Sequence, residues 1–224
     1  MGTIKNGQPN GKTGEHVTYP LLGKLVTRTI GVNNTPPTDA QLAGRQAMAL
    51  GNAVLAPIKP FIKIGFKMVA AKNGMYPANR ALSHIKLNAI NGSYPEQYID
   101  YSKLLVAEGK LPMAENPVVE KTESGLKFNW DKVKTFPRNM DQTMLLAYFP
   151  DLDKAEYITA GAKRSAGEDF LEIRLSRINE RMEVYMAFIS EDRENVSNSV
   201  YLKQFEKTSN LQTEAGTESD YSII

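Results

Sequence analysis

The sequence GQPNGKT at residues 7–13 contains the glycines, lysine and threonine of a phosphate-binding loop. A Walker A loop, whose backbone amides bind nucleotide phosphates, needs four residues between its glycines, whereas three separate Gly7 from Gly11. The residues after Thr13 favour a β-strand, where such a loop requires the N-terminus of a helix. The segment therefore predicts glycine turns between strands and no nucleotide site.

A second candidate is Ser165, which lies in the sequence GAKRSAG at residues 161–167. The nucleophile elbow of a hydrolase has the spacing GxSxG, which this segment lacks. Its neighbours Lys163 and Arg164 could hold an anion, but charged residues in a turn are usually solvated. We interpret the segment as a loop that connects two strands.

Composition excludes thiol chemistry and leaves little for metal binding. The 224 residues include no cysteine, which excludes disulfides and thiolate ligands. The two histidines, His16 and His84, have no second ligand residue three or four positions away, so a zinc site is not expected.

The acidic residues that lie closest together fall in two turns. A glycosidase needs two carboxyl groups across a cleft, and a calcium loop needs further oxygen ligands and a glycine. Solvated turn residues are the simpler interpretation, and we expect no metal, no cofactor and no enzymatic activity. These acidic residues are Asp151, Asp153, Glu191, Asp192 and Glu194.

The formal net charge of +2 conceals a difference between two parts of the chain. Residues 1–90 contain eleven basic and two acidic side chains, a formal charge of +9, so residues 91–224 carry −7. A basic half can bind nucleic acid, an anionic membrane or the acidic half of a neighbouring copy, or it can be a solvated surface. We do not expect nucleic acid as a partner, because the charges are spread singly, with few aromatic residues between them.

The glycine-rich first 30 residues are predicted to form a β-hairpin. Two runs rich in β-branched residues, 17–19 and 25–30, flank a longer loop at 20–24. Because a lone hairpin is marginally stable in water, it needs a surface to pack on, and we consider it an assembly element. Its candidate contacts with a neighbouring chain are Ile4, Val17, Tyr19, Leu25, Val26 and Ile30.

Short helices are predicted after the hairpin. Thr38 has the position of an N-cap, with Gln41 three residues later to complete a capping box. Pro57 and Pro60 are expected to break or kink the helix that begins there. A third helix is predicted at 77–90.

From residue 94 onward, apolar and polar residues alternate in short runs. Such runs, separated by clusters of Pro, Gly, Asn and Asp, are typical of an antiparallel β-sandwich of the immunoglobulin or fibronectin type. The predicted fold class is therefore α+β, mainly β. Strands are predicted at 98–105, 118–121, 126–130, 143–149, 155–159, 170–175, 184–190 and 199–205.

The predicted organisation has three parts. A basic part with the glycine-rich β-element and the helices spans 1–93, the acidic sandwich spans 94–207, and a polar tail of disordered composition spans 208–224. Side chains expected in the sandwich core are Trp130, Leu145, Phe149, Ile173, Val184, Phe188 and Tyr201.

Several pieces of the sequence carry a resemblance that extends from residue 1 to about 205: MGTIKNG at 1–7, PTDAQL at 37–42, AINGSYP at 89–95, VYMAFIS at 184–190 and VSNSVYL at 196–202. In these pieces the chain resembles an uncharacterised domain-of-unknown-function family common in Bacteroidota. The resemblance implies an N-terminal glycine-rich segment followed by a C-terminal fibronectin-like sandwich. It implies no activity and no catalytic residues.

The leading hypothesis is a non-enzymatic structural subunit. The opposite charges of the two parts favour a head-to-tail contact between copies, and a contact that does not close produces a filament or tube. The N-terminal strands could also add to the edge of a neighbour's sheet. The alternative is a surface or virion-associated sandwich that binds glycan or protein, with sugar rings stacked on Tyr94, Tyr98, Tyr101 and Tyr201.

The sequence shows neither a signal peptide nor a stretch of about 18 apolar residues that could span a bilayer. We therefore expect no membrane span. An extracellular or virion-like particle is favoured over the cytoplasm, since a virion component released by lysis needs no signal peptide.

Overall fold

The computed structural model describes residues 2–5, 7–32 and 34–208. The fold is mixed α+β with mainly antiparallel sheets, which confirms the predicted fold class. The tail predicted at 208–224 lies outside the described residues, except for Thr208.

The first four strands form an antiparallel sheet in chain order, and this sheet is larger than the predicted hairpin. The hairpin is present within it, but the predicted longer loop is wrong. Leu22 and Gly23 alone close the turn, with φ of 49° and 78°, the geometry of a two-residue hairpin turn. Leucine rarely adopts this conformation, so the sequence contains no sign of so short a turn. The strands are β1 (Thr3–Lys5), β2 (Gln8–Thr13), β3 (His16–Leu21) and β4 (Lys24–Thr29).

A long helix, α1 (Asp39–Gly65), begins at the predicted capping box. The Thr38 hydroxyl accepts a hydrogen bond from the Gln41 backbone N–H at 3.4 Å, and the Gln41 side-chain oxygen accepts one from the Thr38 N–H at 3.2 Å. These two hydrogen bonds satisfy backbone N–H groups that have no partner within the helix at its first turn.

The break predicted at Pro57 and Pro60 does not occur, because α1 continues through both residues. Each proline removes the hydrogen bond to the carbonyl four residues earlier, which belongs to Ala53 or Ala56. Both alanines are exposed, so water can satisfy these carbonyls and the helix tolerates the two prolines.

Two shorter helices follow, α2 (Lys67–Lys72) and α3 (Pro77–His84). A π-helical turn, Ile85–Ala89, extends α3, so the helical segment predicted at 77–90 is present.

A small hairpin connects the helices to the sandwich. It pairs β5 (Ile90–Asn91) with β6 (Tyr98–Ile99). The strand predicted at 98–105 is wrong beyond Ile99. The Asp100 carboxylate accepts a hydrogen bond from the Ser102 N–H at 3.1 Å, which starts a 3₁₀ turn instead.

Seven strands form the predicted sandwich as two facing sheets. The strands are β7 (Val118–Lys121), β8 (Gly125–Asn129), β9 (Gln142–Phe149), β10 (Lys154–Ile158), β11 (Glu168–Glu172), β12 (Met182–Ile189) and β13 (Val200–Phe205). A three-stranded sheet has the order β11-β8-β7, and a four-stranded sheet has the order β10-β9-β12-β13. This is the immunoglobulin arrangement, except that the fourth of the seven strands, β10, belongs to the second sheet instead of the first.

One hydrophobic cluster fills the space between the two sheets. The side chains predicted for this core are all buried except Tyr201, which is half-buried and lies outside the cluster. Their alternation along the strands explains why the sequence pattern located them.

A second hydrophobic cluster lies on the other face of the four-stranded sheet. It combines Ile58 and Phe61 of α1 with Leu146 of β9 and Ala187 of β12. The four-stranded sheet is therefore covered on both faces, by helices on one side and by the three-stranded sheet on the other. The second cluster contains residues from both sides of the domain boundary predicted between residues 93 and 94. That boundary stays a prediction.

Candidate functional site

The N-terminal sheet, β1 to β4, contributes no buried side chain among the described residues of 2–31. Ile4, Leu21, Leu22 and Leu25 are between 41% and 80% exposed. A sheet in a folded domain normally covers at least one face with another layer. This sheet instead presents both faces to solvent, which makes it the best candidate for a contact with a partner.

The register of the sheet aligns its cations on one face. Residues directly opposite each other in an antiparallel ladder project on the same side. Lys12 is opposite Val17, which is opposite Arg28, and Leu21 is opposite Lys24. Tyr19 and Val26, also opposite each other, complete a half-buried apolar strip between the cations. We call this side the basic face: Lys12, Val17, Tyr19, Leu21, Lys24, Val26 and Arg28.

The other face of β3 and β4 contains no Lys, Arg, Asp or Glu. The hydroxyls of Thr18 and Thr27 lie 2.9 Å apart, and the Thr29 hydroxyl lies 3.4 Å from Nδ1 of His16. These side-chain pairs connect the two strands, and they leave the positive charge of the hairpin on the basic face alone.

The three cations of the basic face form no ion pair with any carboxylate in the described ranges. Charges of one sign on one side of a sheet produce a positive potential that attracts an anionic partner. Because they are exposed, salt should screen this attraction strongly.

The residues predicted as assembly contacts do not form one surface. Val17, Tyr19 and Val26 lie on the basic face, whereas Leu25 projects from the opposite side. Ile4 lies on β1 with 80% of its surface exposed, and the Ile30 N–H donates to the Glu15 carbonyl at 2.7 Å at the end of β4. Sequence reasoning missed Lys12, Lys24 and Arg28. The sequence does show that Lys24, Val26 and Arg28 lie two residues apart, which places them on one side of a strand.

The segment GQPNGKT forms a turn at Gly7 followed by β2, and the next element is the strand β3. Gly7 has a φ of 74°, in the left-handed region that glycine adopts without strain. The structure therefore confirms a glycine turn, and no helix N-terminus is available to bind phosphate.

A cleft of about 470 Å³ lies beside the sandwich, with Arg138, Arg164 and Phe136 among its lining residues. The prediction of a solvated Arg164 is wrong, since only 2% of the residue is exposed. Its guanidinium donates to Asp141 Oδ2 at 3.2 Å and to the Met113 carbonyl at 3.0 Å. Because the fold uses these donors, Arg164 is a structural group and not an anion site.

A cluster of tyrosines lies at the start of β12, around the buried carboxylate of Glu183. The Tyr201 hydroxyl and the Arg181 guanidinium each donate to Glu183, both at 2.8 Å. The Tyr185 hydroxyl donates to the Tyr101 carbonyl at 2.8 Å. These bonds connect β12 to β13 and to the 3₁₀ turn Tyr101–Lys103, so the cluster stabilises the fold.

The buried tyrosines predict a loss of stability at alkaline pH. Burial raises the pKa of Tyr148 and of Tyr185 above the value near 10 of an unfolded chain. Above pH 10 the unfolded chain therefore releases protons that the folded chain retains. We expect the free energy of unfolding to fall by about 1.4 kcal/mol per pH unit for each of the two tyrosines.

Urea denaturation between pH 8 and pH 11 measures this slope. In Tyr185→Phe, the contribution of one tyrosine should disappear from the slope, although the variant is somewhat less stable at pH 8 because it loses the bond to Tyr101. An identical slope in the variant and the native chain would contradict the prediction.

The tyrosines proposed to stack on sugars differ in exposure. Tyr94 and Tyr98 are 40% and 58% exposed, near the small hairpin of β5 and β6. Tyr101 and Tyr201 are half-buried within the tyrosine cluster. The structure therefore leaves two of the four available to a ligand.

The model of a family of unknown function (DUF6266) matches the chain over residues 10–203. The chain belongs to this family. No match was found among curated proteins or solved structures. The DUF6266 region includes most of β2 and continues into β13, so the basic face and the sandwich both lie within it.

Two further findings bear on cofactors and membranes. In the described part of this DUF6266 chain, no group of three His, Cys, Asp or Glu residues could hold a metal ion. By length and composition alone α1 could cross a membrane, although core helices pass the same test and α1 buries Ile58, Phe61 and Ile62. The expectation of no membrane span stays a prediction.

Proposed function

We propose that the chain is a non-enzymatic structural subunit that assembles head to tail through its N-terminal sheet. The observation that carries the proposal is a sheet of four strands with no buried side chain among its described residues. Such a sheet gains little stability from the rest of its own chain. A second copy that covers one face would supply the missing layer.

Docking by a face is better supported than addition of a single strand. The strands β1 to β4 already pair with one another, so only the outer edges of β1 and β4 have free backbone groups. The basic face, by contrast, presents three cations without ion partners in the described residues. Self-assembly into a filament or tube, outside the cell or in a virion-like particle, follows if the contact does not close.

The test compares the full chain with a variant that lacks residues 2–31, by sedimentation velocity at high protein concentration. We expect the full chain to associate in about 50 mM salt and the shortened chain to remain monomeric. Because the deleted segment contributes no buried side chain that the structure describes, thermal unfolding of the remainder should change little. A full chain that stays monomeric at every concentration would overturn the proposal.

Salt separates the two modes of contact. Raising the salt to about 500 mM shortens the Debye length from about 14 Å to about 4 Å, which should weaken docking by the basic face. Backbone hydrogen bonds of an added strand are screened much less, so association that survives this salt would indicate strand addition.

A second candidate function is binding of glycan or protein by the sandwich, since Tyr94 and Tyr98 are exposed. Binding of the monomeric native chain to a glycan array, together with loss of that binding in the variants Tyr94→Ala and Tyr98→Ala, would favour this function. The prediction that the family is common in Bacteroidota stays a prediction. So does the extension of the family pattern to residues 1–9, which precede the matched region.

A further inference from the structure

The three-stranded sheet of the sandwich also has an open face. Its inner side packs in the sandwich core through Val119, Phe128 and Leu171. The residues that alternate with these project outward, and most of them are exposed. We call this outer side the acidic face: Val118, Glu120, Lys127, Glu168, Phe170 and Glu172.

Negative charge exceeds positive charge on the acidic face. Lys127 is paired with Glu168 at 2.9 Å, and it lies opposite Glu120 and Phe170 in the ladder. Within the described ranges Glu120 and Glu172 take part in no ion pair. Two carboxylates of this face are therefore available to cations from another molecule.

Apolar surface accompanies these charges. Val118 is 52% exposed and Phe170 is 43% exposed. A cavity of about 360 Å³ borders Phe170, between Lys127, Glu168 and Asp169. A side chain from a facing sheet could enter it.

We infer that the acidic face of one copy receives the basic face of the next. This inference rests on the proposed function and names the partner surface for it. Lys12, Lys24 and Arg28 meet a face with an excess of carboxylates, and the strip of Val17, Tyr19 and Val26 meets Val118 and Phe170. The residues of the basic face lie on three of the four strands of their sheet, and those of the acidic face lie on all three strands of theirs. The two sheets can therefore pack in the way that sandwich sheets do, about 10 Å apart.

The geometry of this contact determines the form of the assembly. The two faces are different surfaces of one chain, so the contact is heterologous. An open assembly of any length therefore has a free basic face at one end and a free acidic face at the other. Three strands of five residues cover an area of roughly 14 Å by 17 Å. A footprint this small belongs to the weak class of interfaces, so association should require high concentration and low salt.

Two charge-reversal variants of the full chain test the inference. Lys12→Glu/Lys24→Glu/Arg28→Glu reverses the basic face, and Glu120→Lys/Glu172→Lys reverses the charge excess of the acidic face while the pair of Lys127 and Glu168 remains. A control for the acidic-face variant, Glu191→Lys/Glu194→Lys, also replaces two glutamates with lysines and so makes the same change of net charge, at exposed positions outside both faces. Circular dichroism and thermal unfolding verify that each variant is folded.

Sedimentation velocity in about 50 mM salt measures the outcome. Each face variant alone should associate more than about tenfold more weakly than the native chain, because its two docking faces now carry the same sign. An equal mixture of the two face variants should associate again, since each reversed face then finds a face of opposite sign on the other variant. The control should associate about as strongly as the native chain.

The results also distinguish this inference from the proposed function. If the native chain associates, loses association on deletion of residues 2–31, and the Glu120/Glu172 variant associates like the control, the acidic face is not the partner and the proposed function stands. If the native chain stays monomeric, both are wrong. Failure of the mixture to associate would likewise overturn the pairing of the two faces.

Discussion

Replacing Phe188 with alanine is expected to lower the free energy of unfolding by about 3–5 kcal/mol. Phe188 is fully buried on β12, between the two sheets of the sandwich. Its ring centroid lies 5.6 Å from that of Trp130, at an angle of 78°, and the Arg164 guanidinium lies 3.9 Å above the ring. The truncation removes these contacts and leaves a cavity that β-strands on both sides cannot close.

Urea denaturation monitored by circular dichroism measures this loss. The matched control is Phe170→Ala, which removes the same side chain from a strand position that is 43% exposed. It should cost less than about 1 kcal/mol, because the site is already in contact with water. Equal losses in the two variants would show that burial between the sheets does not determine the effect.

The position of Phe188 is one that the sequence predicts well. Side chains two residues apart point to the same side of a strand. In the run VYMAFIS, Val184, Met186 and Phe188 therefore lie on one side and the residues between them on the other. The structure places all three in the cluster between the sheets. Strand positions and the core of the sandwich follow from this local pattern.

The sequence-based prediction misses the helices that cover the other face of the four-stranded sheet, although the sequence contains a signal for them. Tyr185, Ala187 and Ile189, which alternate with the core residues, are themselves apolar and buried under the helices. A strand that is apolar on both faces is typical of a sheet covered on both sides. The sequence-based prediction of a two-layer sandwich treats β9 and β12 as covered by strands alone, and it therefore places the helices in a separate part.

The candidate site was only partly predictable for a related reason. Leu25 and Val26 are adjacent in β4 and so cannot share a face, yet the prediction places both on one contact surface. Deciding which face of β4 aligns with Val17 and Tyr19 requires the register, and the register depends on the two-residue turn at Leu22 and Gly23. The sequence does not reveal that turn.

Arg164 shows a different limit of sequence reasoning. A basic pair in a glycine-flanked loop predicts solvent exposure, because charged side chains are rarely buried without partners. Here the partners come from segments far away in sequence: the Asp141 carboxylate and the Met113 and Pro112 carbonyls. No local pattern indicates such a convergence. The Trp130 indole N–H, which donates to the Arg164 carbonyl at 2.8 Å, adds a fourth contact.

Replacing Arg164 with alanine should therefore destabilise the fold by about 3–5 kcal/mol. The variant leaves the Asp141 carboxylate buried without the charge that compensates it, and it leaves two carbonyls without donors. Arg138→Ala, an exposed cation of the same cleft, is the matched control and should cost less than about 0.5 kcal/mol. Urea denaturation at pH 7 compares the two variants with the native chain.

The pH dependence identifies Asp141 as the cause of the loss. Burial already raises the pKa of Asp141 in the native chain, and the positive charge of Arg164 opposes that rise. Without Arg164 the folded-state pKa should rise further above the unfolded value near 3.9, so the folded variant takes up a proton that the unfolded chain does not bind. Stability gained in this way is present at low pH and is lost as the pH rises through the folded-state pKa. The deficit of Arg164→Ala relative to the native chain should thus be smaller at pH 5 than at pH 7. A deficit independent of pH would assign the loss to packing and to the two carbonyls instead of to the buried carboxylate.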